Sequence, residues 1–222
     1  MLNYHYMLQL VPYLIGYIPL TLEIAVASMF FALILAVLIA VIRVLRIPVL
    51  NQITLVFVSF FRGTPILVQL FLFYYGLPQL FASLTSINGI EAAILGLSLN
   101  YAAYMSESIR AAITGVERSQ VDAALSIGMT QSQLMRRIVL PQAFRVAVPT
   151  LVNYFIDVIK STSLAFTLGV TELMSAAQKE AASNFLYFET FLTVAIIYWI
   201  MVEILSFAQR WLEHKLNHAY SR

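Results

Sequence analysis

Five long apolar runs constrain this chain more than any other feature. They fall at about 20–42, 53–80, 90–113, 147–168 and 185–211. At about 1.5 Å of rise per residue, roughly 20 helical residues cross ~30 Å of hydrocarbon, and each run reaches that length. Strands of a membrane barrel would be half as long and would alternate polar with apolar residues, which these runs do not. The rest of the composition agrees. Hydrophobic residues make up 61 % and charged residues 11 % of the 222, where a soluble domain carries about a quarter charged. A soluble domain is excluded, and so is a disordered chain, which needs low hydrophobicity and high net charge. The fold class expected is an all-α integral membrane protein of about five transmembrane helices. The net charge of +2 makes no case for nucleic-acid binding, and the absence of cysteine removes disulfides, zinc–thiolate sites and iron–sulfur clusters.

The few charges set an orientation. With the N-terminus outside, Arg43, Arg46, Arg110, Arg118, Arg136, Arg137, Arg145, Arg210, Lys215 and Arg222 are cytoplasmic and only Lys179 is external. An excess of Lys and Arg on the cytoplasmic side is the usual bias. Residues 1–19 hold no Lys or Arg, so they do not read as a cleaved signal peptide, which would open on a positive region. The first run then serves as an uncleaved anchor. No internal repeat or low-complexity linker divides the chain. The economical organisation is one membrane domain over 1–222 with a structured cytoplasmic loop at 114–145.

That loop predicts two short helices. The first spans about Ser119 to Ile127, with Ser119 or Gln120 as its cap and Asp122 in the first turn, where a negative charge suits the helix dipole. Gly128 is its stop, since glycine reaches positive φ at little cost. A second, amphipathic helix starts near Thr130, with Leu134, Ile138 and Val139 opposed to Arg136 and Arg137. Pro141 is expected to end or bend it. On these grounds alone the loop either lies on the headgroups or docks a partner.

The spacing of the loop resembles a known signature. Asp122-Ala123-Ala124, three residues, Gly128, nine residues, then Ile138-x-Leu140-Pro141 is similar to the EAA loop of ABC-importer permeases, with Asp122 where that family usually has Glu. Further stretches resemble the polar amino-acid permeases of that group. These are Phe61-Arg62-Gly63-Thr64-Pro65 with Leu67-Val68-Gln69 and Tyr75-Gly76-Leu77-Pro78, Tyr104-Met-Ser-Glu107-Ser-Ile-Arg110, and Lys160-Ser-Thr-Ser-Leu164 followed by Glu172-Leu173. The resemblance covers about Thr21 to Leu205, and Asn153 to Ser163 looks most like the cystine-type subgroup. It implies a type I ABC-importer permease fold whose coupling helix (Gln120, Asp122, Ala123, Ala124, Gly128) docks into a groove on an ATP-hydrolysing subunit. It also implies a dimer of those ATPase subunits, an extracytoplasmic solute-binding protein, a second permease copy or sister subunit, and a place in the bacterial inner membrane. The function implied is translocation of L-cystine or another polar or charged amino acid by alternating access. The alternative is a secondary carrier or channel that needs no ATPase. ATP and Mg²⁺ would belong to the partner, because no Gly-x-x-x-x-Gly-Lys-Ser/Thr occurs here.

Ionisable groups at membrane depth are costly and usually mark a pathway. Asn153, Asp157 and Lys160, spaced by four and three, share a helix face. Two roles are open to them. Asp157 could take a substrate ammonium and Lys160 its carboxylate, with Asn153, Thr162 and Ser163 adding hydrogen bonds, or Asp157 and Lys160 could simply neutralise each other. Thr64 faces a similar choice. Pro65 bends the second run and frees a carbonyl, Gly63 permits close helix approach, and Thr64 then either contacts substrate or belongs to a packing kink with Arg62 reaching the headgroups. Glu107 and Arg110 are expected to be a structural ion pair, and Glu23 and Glu203 packing or end-of-span residues. No catalytic residues and no metal ligands are expected. His214 and His218, four apart, read as a solvated helix end, and most of the Tyr and Phe residues as lipid-facing or core.

Overall fold

A computed structural model describes residues 2–217, and these residues are helical almost throughout. His218 and Arg222, included in the charge and histidine readings above, lie outside the described residues. Helix α1 (Tyr4–Ile15) precedes the first apolar run, and α2 (Ile18–Val44) contains it. The second run is divided between α3 (Leu50–Gly63) and α4 (Ile66–Phe71), the latter continued by a π turn (Leu72–Gly76) and α5 (Leu77–Leu80). Helix α6 (Gly89–Thr114) is the third run. The loop holds α7 (Arg118–Ser126) and α8 (Gln131–Leu134), and α8 leads through a π turn (Met135–Val139) into α9 (Leu140–Ser161) and a 3₁₀ stretch (Thr162–Leu168). Helices α10 (Leu173–Asn184) and α11 (Tyr187–Asn217) complete the chain. By length and composition α2 and α11 can each cross a membrane, and a third crossing is possible if α3 and α4–α5 form one broken span. Helices α6 and α9 are long enough to cross but are not among the helices that are also apolar enough.

The core follows membrane logic. Helices in lipid associate by close packing rather than by hiding apolar surface from water, so small residues line their contacts. In α2 most of the buried positions are small, Ala25, Ser28, Ala32, Ala36 and Ala40 beside Thr21, Ile24 and Ile39, while Val26, Phe30, Phe31, Ile34 and Leu38 point outward. Ala25, Ala32 and Ala36 of this stripe share one core cluster with Ala92, Ala93, Leu97, Ala102 and Met105 of α6, to which Leu70 of α4 and Val158 and Ile159 of α9 also belong. Ser98 fastens the pair by donating to the Ser28 carbonyl at 3.2 Å. On another side of α6, a Cβ added at Gly96 would stand 2.6 Å from Leu70 Cδ2, so glycine there is what lets α4 close in.

Three features depart from the expectations. First, the second run is no single helix: its halves meet at 111°. Proline disfavours the α conformation in the residue before it, and Thr64 is accordingly extended (ψ 147). The carbonyls freed at this break are captured. Gln69 Nε2 donates to Phe61 O (3.0 Å) and Thr64 O (3.1 Å), and Asn100 Nδ2 donates to Phe61 O (3.1 Å) and Gln69 Oε1 (3.0 Å). A Cβ at Gly63 would meet nothing within 4 Å, so this glycine serves no close approach. Second, Pro141 does not end the helix, which runs on through it as α9. The preceding π turn widens the ladder, with Leu140 N–H reaching Met135 O, and the proline follows directly. The same device, Leu77 N–H to Leu72 O, precedes Pro78. Third, α1 and α10 were not foreseen. Leu10 and Leu14 of α1 pack on Leu173, Ala176 and Ala177 of α10 and on Val194 and Ile197 of α11. The Glu172 carboxylate caps α10, accepting from Met174 N–H (2.9 Å), Ser175 N–H (2.8 Å) and Tyr198 Oη (3.3 Å). Burial nevertheless pushes this carboxyl up to about 7.

Candidate functional site

Helices α6 and α9 run side by side, and their shared face is polar. Tyr101, Tyr104 and Ser108 of α6 recur at three and four residues, as do Tyr154, Asp157 and Ser161 of α9, so each set forms one stripe. Between the stripes lies a cavity of about 330 Å³, bounded at the helix break by Thr64, Pro65 and Ile66 and floored by Asn100. A second opening of about 380 Å³ shares Tyr101, Asp157 and Ser161 and adds Lys160, Ser163 and Leu164. Tyr101 Oη and Ser161 Oγ bond at 2.8 Å, and Ser108 Oγ and Tyr154 Oη at 2.9 Å, so both stripes are tied across the seam. The Arg62 guanidinium stands 5.4 Å from the centre of the Tyr104 ring.

Asp157 Oδ1 and Lys160 Nζ are 2.6 Å apart, and each side chain is about half exposed (47 % and 54 %). Thr64 Oγ1 donates to Phe60 O (2.8 Å) and accepts from Gln69 Nε2 (2.8 Å), so its hydroxyl is engaged although the residue lines the cavity. Ser163 lines the second opening and donates to Lys160 O (2.6 Å). Asn153 and Thr162 are not brought to either cavity. Asn153 is exposed, one residue off the stripe that Tyr154 begins. Thr162 is fully buried, because the 3₁₀ stretch that starts there turns it inward to donate to Ile159 O (2.7 Å). Tyr101 belongs to the core, with Tyr154 packed against it, and both of them, with Tyr104, also line the cavity, a place the reading from sequence did not assign to them. Their three- and four-residue spacing with Ser108, Asp157 and Ser161 was the signal that would have found them.

The loop forms a compact outer surface. Helix α7 starts at Arg118 with no side-chain cap, so neither Ser119 nor Gln120 caps it, and Asp122 lies beyond the first turn. The dipole argument for Asp122 therefore does not apply. Gly128 (φ +82) closes the helix as expected, with Met129 N–H on Ala124 O (3.1 Å) and Gly128 N–H on Leu125 O (3.0 Å). Thr130 and Gln133 form a reciprocal capping box at the start of α8. Ala124 is buried against Leu134 and Val139 of the same chain, while Asp122, Ala123, Leu125 and Ile127 face outward. Gln142 Nε2 of α9 donates to Gln120 Oε1 (2.8 Å) and so ties α7 to the membrane helix. Nearby, Glu107 is held by Arg110 (2.9 Å) and also by Arg43 of α2, a partner not foreseen. Among the described residues no three His, Cys, Asp or Glu side chains are grouped to hold a metal.

Comparison with known proteins bears on the fold and the family. The chain is 59 % identical over 220 residues, 99 % of either chain, to the probable amino-acid ABC transporter permease protein PatM of Vibrio harveyi. It is 38 % identical to the L-cystine transport system permease protein TcyL of Bacillus subtilis, covering 96 % of this chain and 90 % of that one. Its fold superposes with a TM-score of 0.90, at 29 % identity, on the crystal structure of an amino acid ABC transporter with histidines, covering 97 % of this chain and 99 % of the other. The all-α architecture is thus that of ABC-importer permeases. The profile of the binding-protein-dependent transport system inner membrane component matches residues 32–218. The chain belongs to that family.

Proposed function

We propose that the chain is the permease subunit of an ABC importer that carries a polar amino acid across the bacterial inner membrane. The observation that carries this reading is the α6–α9 seam, which has an ion pair and hydroxyls at one end and the loop helix α7 tied to it at the other. A zwitterionic amino acid needs an anion for its ammonium and a cation or donors for its carboxylate. Asp157 and Lys160 offer both once substrate opens their pair, with Ser163 and Thr64 close by. Family membership and the amino-acid relatives support the same substrate class, and the cystine relative makes L-cystine the first candidate. The subunit carries out translocation rather than a chemical reaction.

The partners follow. Two ATPase subunits, which hold ATP and Mg²⁺, dock on Gln120, Asp122 and Ala123 at the exposed side of α7, with Ala124 seating that helix on its own chain and Gly128 closing its end. An extracytoplasmic binding protein delivers the substrate. Charged groups do not face lipid, so the half-exposed Asp157 and Lys160 call for a second permease, a copy or a sister subunit, across the seam. The N-terminus lies outside and the C-terminus inside, as the basic residues require. Closure of the ATPase pair drives the coupling helices together, and the permease pair opens alternately to each side. The test is uptake of labelled amino acids by proteoliposomes that hold permease, ATPase and binding protein. Uptake that requires ATP and the binding protein is expected. Uptake by the permease alone would establish the carrier or channel instead.

A further inference from the structure

The seam carries another cavity on the side of the loop. About 490 Å³ in volume, it is lined by Ser108 and Gly115 of α6, Gln120 of α7, and Gln142 and Thr150 of α9, among others. It lies on the same two helix faces as the upper cavity. Along α9 the path passes Gln142, Val146, Thr150, Tyr154, Asp157 and Ser161, each three or four residues from the last. The upper cavity reaches down to Tyr154 and the lower one reaches up to Ser108, and these two hydroxyls are bonded at 2.9 Å. The Tyr154 ring is steadied by Tyr101 and Tyr104, each with its ring centre 6.4 Å away. The seam is therefore two chambers in line, separated by one phenol ring and one hydrogen bond.

We propose that Tyr154, latched to Ser108, is the barrier between the two chambers and the gating residue of this subunit. The proposal rests on the importer reading given above. A bond between two neutral hydroxyls holds the ring across the seam yet breaks without leaving a charge stranded. The actuator lies on the same helix. Gln142 sits twelve residues before Tyr154, about 18 Å along α9, and its side chain is bonded to Gln120 of α7. A shift of α7 pulls on α9 and slides Tyr154 past Ser108. Substrate then passes from the Asp157 chamber into the loop-side chamber.

The test uses the whole complex in proteoliposomes preloaded with labelled substrate, read by ATP-independent efflux and by ATPase rate without binding protein. Tyr154→Phe keeps the ring and loses the bond, and it is expected to raise both by about fivefold, in line with loss of one neutral hydrogen bond. Ser108→Ala should do the same, and the double variant should exceed neither single, because both remove one interaction. Ser108→Thr, which keeps the hydroxyl, should return efflux to the wild-type level. Tyr154→Ala removes the ring and should leak most. Wild-type efflux and ATPase rate in Tyr154→Phe and Ser108→Ala would overturn the latch, and so would fully additive effects. A merely structural role would lower the yield and melting temperature of the complex without raising efflux per assembled complex. Failure of the importer reading appears in the wild type, whereas the latch is scored by the ratio of variant to wild type.

Discussion

Helix α6 has two working faces, built on opposite principles. Toward α2, on the side marked by the Ser98 bond, it presents Ala102 and Met105, four and seven residues on and both fully buried, and α2 meets it with a stripe of alanines. Toward α9 it presents Tyr101, Tyr104 and Ser108 to Tyr154, Asp157 and Ser161, with cavities between them. The first contact is closely packed and holds only two serines as polar groups, Ser28 and Ser98, so it is built to stay together. The second is held by single hydroxyl bonds, each of which has an alternative partner in water or substrate. A transporter needs both, a rigid half that transmits force and a seam that opens. The difference is visible as alanine on one side of the helix and tyrosine on the other.

The sharpest way to break this comparison is to overfill the rigid face. Ala102→Leu adds three carbons where no space exists, and overpacking of a core costs about 1–3 kcal/mol or more. We expect little folded complex in membranes and a lower melting temperature for what remains. Normal yield would mean that the α2–α6 contact is as yielding as the seam. The next effect is functional. Asp157→Ala on the open face should abolish ATP-dependent uptake while assembly and melting temperature stay as in the wild type, since both partners of its ion pair are half exposed. Uptake at the wild-type rate would reduce Asp157 and Lys160 to mutual neutralisation. A smaller effect is expected at the loop. Gly128→Ala meets no atom within 4 Å, so its cost is conformational, about 1–2 kcal/mol for a left-handed residue with a Cβ. Stimulation of ATP hydrolysis by the loaded binding protein should fall several-fold while the membrane helices remain intact. Equal loss of stability throughout the subunit would show that α7 is not a separately adjustable element.

The same contrast explains what the sequence made legible. Runs of apolar residues, the helix of the loop, its stop at Gly128 and the start of the next at Thr130 depend on neighbours within a few positions, and all can be read directly. The sharp break at Pro65 was legible as a bend only. Its angle depends on Gln69 and on Asn100, 39 residues from Phe61, which together capture the freed carbonyls. Pro141 misled because a π turn absorbs it, and no local residue announces that turn. Helices α1 and α10 are short and packed on each other from opposite ends of the chain, a relation that periodicity cannot display. On the seam, attention to charge found Asp157 and Lys160 but passed over the tyrosines, whose aromatic character suits lipid as well as a cavity.

The smallest effect gives the finest measure of the seam. A helix turns about 100° per residue, so Asn153 and Tyr154 cannot share a stripe. Periodicity from Asp157 allows either neighbour, at four residues back or three. The structure chooses Tyr154, which lines the cavity and bonds Ser108, and leaves Asn153 exposed. Asn153→Ala should therefore leave uptake within about twofold of wild type, the range of an ordinary exposed substitution, in the assay where Asp157→Ala abolishes it. A tenfold loss would place Asn153 on the pathway. The stripe would then run through 153, 157 and 160, and α9 would have to rotate by about a third of a turn from the register described here during part of the cycle. The result at this one side chain thus separates a seam that opens by sliding from one that opens by rolling.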